Sequence, residues 1–187
     1  MTKEDWQVIH SSKHDDWRTP GWLFDRLNKE FNFSLDAAAS PHNALCNNYL
    51  MKPAGLVSDW AHNMAGDLQT VFVNPPYGRH VGKWVEKAIL EQAKGATVVM
   101  LMSACTDTIW WRRAWDFASE VRFIAGRLKF LAGIDGKEKS TAPKGSAIIV
   151  FRPFGGATYH GRRTPLCTLM SQPPSERKKS REEKDDT

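Results

Sequence analysis

The chain has 187 residues, 41% of them hydrophobic, and a net charge of +5. That length suits one domain with a core large enough to fold without staples, and no apolar run is long enough to span a membrane. Cys46, Cys105 and Cys167 are far apart and form no Cys-x-x-Cys pair, which argues against a disulfide framework or a zinc knuckle.

Residues 1–15 are polar, have no clear period and read as a loose arm; the start, Met1-Thr2-Lys3-Glu4-Asp5, is not a signal peptide. The main domain is expected over 16–170. Thr19-Pro20 predicts a helix start, with Thr19 as the cap and Pro20 at the first helical position. Leu23, Leu27 and Phe31 recur every four residues and make its buried stripe. Phe33-Ser34-Leu35-Asp36 reads as a short strand running into a tight turn of small residues, Ala37-Ala38-Ala39-Ser40-Pro41. Residues 42–66 contain the breakers Pro53, Gly55 and Gly66, yet the stretch is long for a bare connection, so a short helix or strand is expected inside it. His42 and Cys46 lie four apart, but a pair of ligands without partners is a poor metal site, and they read as structural.

Val71-Phe72-Val73 reads as a buried strand over 70–73 that ends at Asn74-Pro75-Pro76-Tyr77. Val81, Trp84, Val85, Ala88, Ile89 and Ala93 follow helical spacing up to Gly95. Ala96 to Met102 is unbroken apolar sequence, as a strand covered on both faces requires. A helix begins at Asp107 or Thr108 and runs to about residue 119, and Val121 to Ile124 is a strand. Leu128–Leu131 and Ala147–Phe151 look like paired strands around the Gly- and Lys-rich stretch 132–146. Strands alternating with helices imply an α/β fold with a mostly parallel sheet, its last strands antiparallel. Residues 171–187 are rich in Pro, Ser and charge, lack an apolar stripe and read as a disordered tail.

The Asn-Pro-Pro-Tyr corner carries the chemistry. Consecutive prolines have fixed φ and no N–H, so they end the strand and stiffen its exit. In an open α/β sheet, ligands bind where such strands end. An amide oxygen and a prolyl carbonyl accept the protons of a planar amino group, and an aromatic face stacks on it. The same residues also suit an ordinary turn, and the motifs around them decide between the readings.

The charge has a location. Residues 176–187 carry five basic and five acidic side chains and cancel. The excess lies in the second half of the body, at Arg112, Arg113, Arg122, Arg127, Lys129, Lys137, Lys139 and Lys144. Such clustering is the footprint of a polyanion binder, and it also occurs on plain solvated surfaces. The Gly133–Ser146 loop and the Trp110-Trp111-Arg112-Arg113 run are the candidate nucleic-acid contacts, with Trp111 read as core.

Thr19-Pro20, Leu35-Asp36-Ala37-Ala38-Ala39-Ser40, Asp59-Trp60, Asn74-Pro75-Pro76-Tyr77 and Gly126-Arg127-Leu128-Lys129-Phe130 fall in order over residues 16–152. This set resembles the phage-type DNA N6-adenine methyltransferases. The resemblance implies the S-adenosylmethionine-dependent methyltransferase fold, Rossmann-like, with a seven-stranded sheet whose final strand is antiparallel. It implies methyl transfer from S-adenosylmethionine to adenine N6 in double-stranded DNA after base flipping, with no metal. By it, Asn74, Pro75, Pro76 and Tyr77 form the catalytic corner. Thr19, Pro20 and Trp22 border the cofactor's methionine end, Asp36 holds its ammonium, and Ala37 and Ala38 let the backbone approach. Asp59 and Trp60 contact the cofactor adenine, and Asn74 also adjoins the cofactor. Arg112, Arg113, Arg127, Lys129, Lys137, Lys139 and Lys144 are the expected DNA contacts. A phage- or prophage-encoded monomer or homodimer in a bacterial host's cytoplasm is expected. The corner motif also serves enzymes that methylate RNA bases or protein glutamine, and a non-catalytic DNA-binding relative would keep the same scaffold.

Overall fold

Val98 to Met102 are all fully buried, and successive side chains serve opposite faces of one sheet. The computed structural model describes residues 17–132, 138–153 and 165–174. In chain order they form α1 (Gly21–Phe31), β1 (Leu35–Ala39), β2 (Tyr49–Met51), α2 (Lys52–Gly55), β3 (Thr70–Val73), α3 (Val81–Ala93), β4 (Thr97–Ser103), α4 (Ile109–Phe117), β5 (Glu120–Ile124), β6 (Lys129–Ala132), β7 (Glu138–Thr141), β8 (Ser146–Phe151) and β9 (Leu166–Met170). The loose arm 1–15 and most of the charged tail 171–187 lie outside the described residues.

The main sheet has seven strands in the order β2-β1-β3-β4-β8-β5-β9. All pairings are parallel except those of β8, which runs against both β4 and β5. The expected mostly parallel, seven-stranded α/β sheet is therefore present. One strand, β9, follows the reversed one and pairs parallel to β5 at the edge.

Alternation assigns the layers. Val71, Val73, Val98, Met100, Met102, Ile149 and Phe151 pack under α3 and α4 with Trp84 and Trp111. Phe72, Val99, Leu101, Ile148 and Val150 face α1, whose stripe is Leu23, Phe24, Leu27 and Phe31. Thr108 caps α4 as expected, its hydroxyl accepting the Trp111 N–H at 3.3 Å.

The structure corrects the sequence expectation in three places and completes it in a fourth. First, Thr19 does not cap α1. The helix starts at Gly21, Pro20 is the flanking residue, and the Pro20 carbonyl accepts the Leu23 and Phe24 N–H groups. The Thr19 hydroxyl is engaged elsewhere, with Asn74. Second, Ala37, Ala38 and Ala39 belong to β1 and are buried; the turn follows Ser40. Small side chains there read as a turn but serve close packing. Third, as expected of so long a connection, the 42–66 stretch contains short elements, both β2 and α2. Fourth, Leu128–Leu131 does not pair with Ala147–Phe151. Instead β6 pairs with β7 in a separate two-stranded sheet, and β8 enters the main sheet. The polar sequence of β7, Glu-Lys-Ser-Thr, has no apolar alternation to reveal it.

Gly55 closes α2 against β1. A Cβ built there would lie 2.2 Å from the Ala37 carbonyl oxygen and 2.8 Å from the Trp84 ring. Gly55→Ala should therefore destabilise the protein by roughly 1–3 kcal/mol, the usual cost of overpacking. Urea denaturation should show a lower midpoint with an unchanged slope.

Candidate functional site

The chain runs outward from β1 to β2, then crosses back to place β3 on the other side of β1. Strand order reverses between β1 and β3, and a crevice opens at the carboxyl ends of such neighbours. A cleft of about 270 Å³, counting its open mouth, lies there; Trp17, Arg18, Thr19, Asp36, Ala38, Asn43, Leu45, Phe72 and Asn74 line it.

Asn74 follows β3 directly, and the next residue, Pro75, is buried. Asn74 Nδ2 donates to the Trp17 carbonyl at 2.7 Å and to Thr19 Oγ1 at 3.2 Å. Asn74 Oδ1 is buried and has no hydrogen-bond partner among the described residues. An unsatisfied buried acceptor carries a desolvation cost, so a donor that reaches it is favoured. Across the cleft, Asp36 is 4% exposed, and its carboxylate accepts the Ala38 N–H at 3.3 Å and the Leu45 N–H at 3.2 Å. These bonds hold the 36–45 segment around a negative charge. Burial, with the Asp36 charge adding to it, pushes the nearby Cys46 thiol up to about 12.

Tyr77 is half-buried and is not a lining residue of the cleft. Its ring meets Phe130 edge-on at 6.0 Å, and its hydroxyl points at the Leu101 carbonyl at a long 3.5 Å. Burial raises the phenol's pKa. Phe130 also takes the Trp17 ring edge-on at 5.1 Å, so one side chain of β6 supports both aromatics.

The structure brings together Thr19, Asp36, Ala38 and Asn74. Pro20, Ala37 and Trp22 do not line the cleft. Ala37 is fully buried in the core under α3, and Trp22 packs against the α1-side core. Asp59-Trp60 stands apart altogether. Trp60 is fully buried, stacks on Trp84 at 6.0 Å and donates its indole N–H to the Gly55 carbonyl at 2.7 Å. Its own carbonyl binds Gln69, the residue before β3, at the amino-terminal edge of the sheet. Asp59 accepts the Ala61 and His62 N–H groups and pairs with Lys94. Trp17, Arg18, Asn43 and Leu45 were missed. Trp17-Arg18 directly precedes Thr19-Pro20, but only the fold places it against Asn74.

The expected DNA contacts divide. Arg112 and Lys144 are exposed, with the Lys144 ammonium 3.4 Å from Cys105 Sγ. Arg113 pairs with Glu86 at 2.9 Å and lies over the Phe117 ring. Arg127 donates to the Ala142 and Pro143 carbonyls, which ties down the chain after β7. Lys129 lies on β6 and Lys139 on β7, while Lys137 is outside the described residues. Arg122, part of the same sequence cluster, is spent on Glu30 and Glu120 at 2.6 and 2.7 Å. Among the described residues, no group of three His, Cys, Asp or Glu side chains is arranged for a metal ion, and no helix is long and apolar enough to cross a membrane.

A family model described as DNA N-6-adenine-methyltransferase (Dam) matches residues 7–181. The chain is also 28% identical over 184 residues to a DNA N-6-adenine-methyltransferase of Escherichia phage T1, a match covering 89% of this chain and 75% of that protein.

The Asp59-Trp60 segment is held by Glu91, whose side chain is fully buried. Its carboxylate accepts the Trp60 N–H at 3.0 Å and the Ala61 N–H at 2.9 Å and pairs with Lys87 and Lys94. Burial raises its pKa, but the two ammoniums and the Trp60 amide outweigh burial and bring it below the ordinary 4.5. A depressed carboxylate adds stability that is present above the unfolded pKa and is lost as pH falls through the folded value. Glu91→Gln should therefore be less stable than wild type at pH 7, and the gap in unfolding free energy should narrow below about pH 4.5. Thermal or urea unfolding of both proteins across pH 2–8 checks this.

Proposed function

The chain belongs to the DNA N-6-adenine-methyltransferase (Dam) family, and we propose that it moves the methyl group of S-adenosylmethionine to N6 of an adenine turned out of duplex DNA. The observation that carries this reading is the buried Oδ1 of Asn74, which has no partner among the described residues, on a residue that lines the switch-point cleft. It is an acceptor held ready for an N–H.

Adenine N6 is a weak nucleophile because its lone pair is delocalised into the ring. Asn74 Oδ1 accepts one amino proton and the Pro75 carbonyl accepts the other. Holding both protons on one side favours a tetrahedral nitrogen and frees the lone pair. No covalent bond to the protein is needed. The cofactor, when bound, supplies an electrophilic methyl carbon on a sulfonium. The buried carboxylate of Asp36 suits its ammonium, and the small side chain of Ala38 leaves room beside it.

A base stacked in a duplex does not reach a cleft of this kind, and turning it out costs a few kcal/mol. Stacking on the partly buried Tyr77 ring returns about 1–3 kcal/mol. The β6–β7 hairpin follows the carboxyl end of β5, so it leaves the same edge of the sheet as Asn74. Lys144 lies where the chain returns, beside Cys105 at the carboxyl end of β4. Arg112, near the start of α4, faces solvent, and this edge is the proposed face for DNA phosphates.

Asn74→Ala should lower methyl incorporation into unmethylated duplex DNA by roughly 100-fold, the scale of removing one aligned hydrogen-bonding group from a reaction centre. Cofactor affinity by calorimetry should stay within about twofold of wild type, because the variant removes a substrate contact. Tyr77→Ala should lose most activity and Tyr77→Phe far less. Labelling of RNA or protein in preference to DNA by the wild-type enzyme would overturn the reading. Replacing Arg112 and Lys144 together with Ala should weaken DNA binding and flatten its salt dependence by up to about 0.9 per lost phosphate contact. An unchanged slope removes these side chains from the interface.

A further inference from the structure

We propose that Thr19 is a positioning residue for methyl transfer, whose hydroxyl works with the Trp17 carbonyl to fix which end of the Asn74 amide meets the substrate. This rests on the reading that Asn74 Oδ1 receives an N6 proton. It departs from the role that the sequence resemblance implies for Thr19, a border for the cofactor's methionine end.

A side-chain amide has two ends of nearly equal size, and rotation about its last torsion exchanges them. One end accepts and the other donates. With NH2 toward the substrate, a donor would meet the amino protons of adenine and accept nothing. The Trp17 carbonyl settles the choice by chemistry: it accepts only, so the amide atom 2.7 Å away must be the nitrogen. That uses one proton of Nδ2. The second goes to Thr19 Oγ1 at 3.2 Å. Both donors are then occupied within the protein, and Oδ1, buried and without a partner among the described residues, is the one amide atom left to accept.

The holding group is itself held. Arg18 exchanges two main-chain hydrogen bonds with Leu131 of β6, at 2.9 and 3.1 Å. Thr19 is 5% exposed, so water competes poorly for its hydroxyl. That hydroxyl makes no cap for α1, whose flanking residue is Pro20.

The test is steady-state methylation of duplex DNA by Thr19→Val and Thr19→Ser, with cofactor affinity from calorimetry and thermal midpoints beside it. Thr19→Val keeps the shape and removes the acceptor. Its kcat should fall about tenfold, the scale of one net hydrogen bond, with cofactor Kd and the KM for DNA within about twofold of wild type. Thr19→Ser, which keeps the acceptor, should restore activity to within about threefold. In an Asn74→Ala background, Thr19→Val should add nothing, since the two act as one unit. Three results overturn the proposal: wild-type kcat in Thr19→Val, a loss that follows cofactor affinity instead of kcat, or a Ser variant no better than Val. If the Val variant does not fold, Thr19→Ala removes the same acceptor with less bulk and is read the same way. Wild-type turnover in Asn74→Ala would sink the functional reading itself. A dead Asn74→Ala beside a normal Thr19→Val would remove the positioning role alone.

Discussion

A carbonyl oxygen accepts hydrogen bonds and never donates them, and the candidate site depends on that asymmetry at Trp17. It sets the nitrogen of Asn74 against the 17–19 segment and leaves the oxygen of the same amide buried and without a partner among the described residues. The segment supplying the carbonyl has no regular structure of its own. It is held by a two-bond bridge to β6 and by the Trp17 ring on Phe130. The corner after β3 is thus oriented by a hairpin about 55 residues further along the chain, through a segment about as far before it. Phe130 reaches Tyr77 as well, so the hairpin packs against both parts of the corner.

The charges fall into two kinds of work. Three of the basic side chains that cluster in sequence are engaged by other parts of the fold. Arg122 bridges Glu30 and Glu120, Arg127 ties down main-chain carbonyls, and Arg113 is paired and packed over a ring. Exposed pairs such as Arg113–Glu86 contribute little stability, whereas the buried Glu91 accepts the buried Trp60 main-chain N–H. The Asp59-Trp60 pair shows the same division. It resembles a cofactor contact in sequence, but its indole fills the α3-side core and its carboxylate closes a turn at the edge of the sheet away from Asn74. Short polar-aromatic pairs suit caps and cores as readily as ligands, and only position separates the uses.

The periodic elements were legible because burial writes itself into composition. A strand between two layers must be apolar at every position, so β3, β4 and β8 stand out as unbroken runs. A helix with one buried side shows its stripe, as α1 and α3 do. The Asn-Pro-Pro-Tyr corner was legible too, since prolines end a strand wherever they occur. Polar elements left no such trace. Strand β7 and the pairing of β6 were invisible, because the β7 sequence Glu-Lys-Ser-Thr carries no apolar alternation to mark it as a partner. Exposed β9 was equally silent.

What the chain alone determined was therefore the kind of fold and the location of its reactive corner: local patterns set by burial, and a stiff turn set by proline geometry. What the tertiary structure decided was which residues surround that corner. Whether Thr19 caps a helix or holds an amide, and whether Trp60 meets a ligand or a core, depends on strand order. Strand order arises from long-range pairings between segments that carry no mark of one another in sequence.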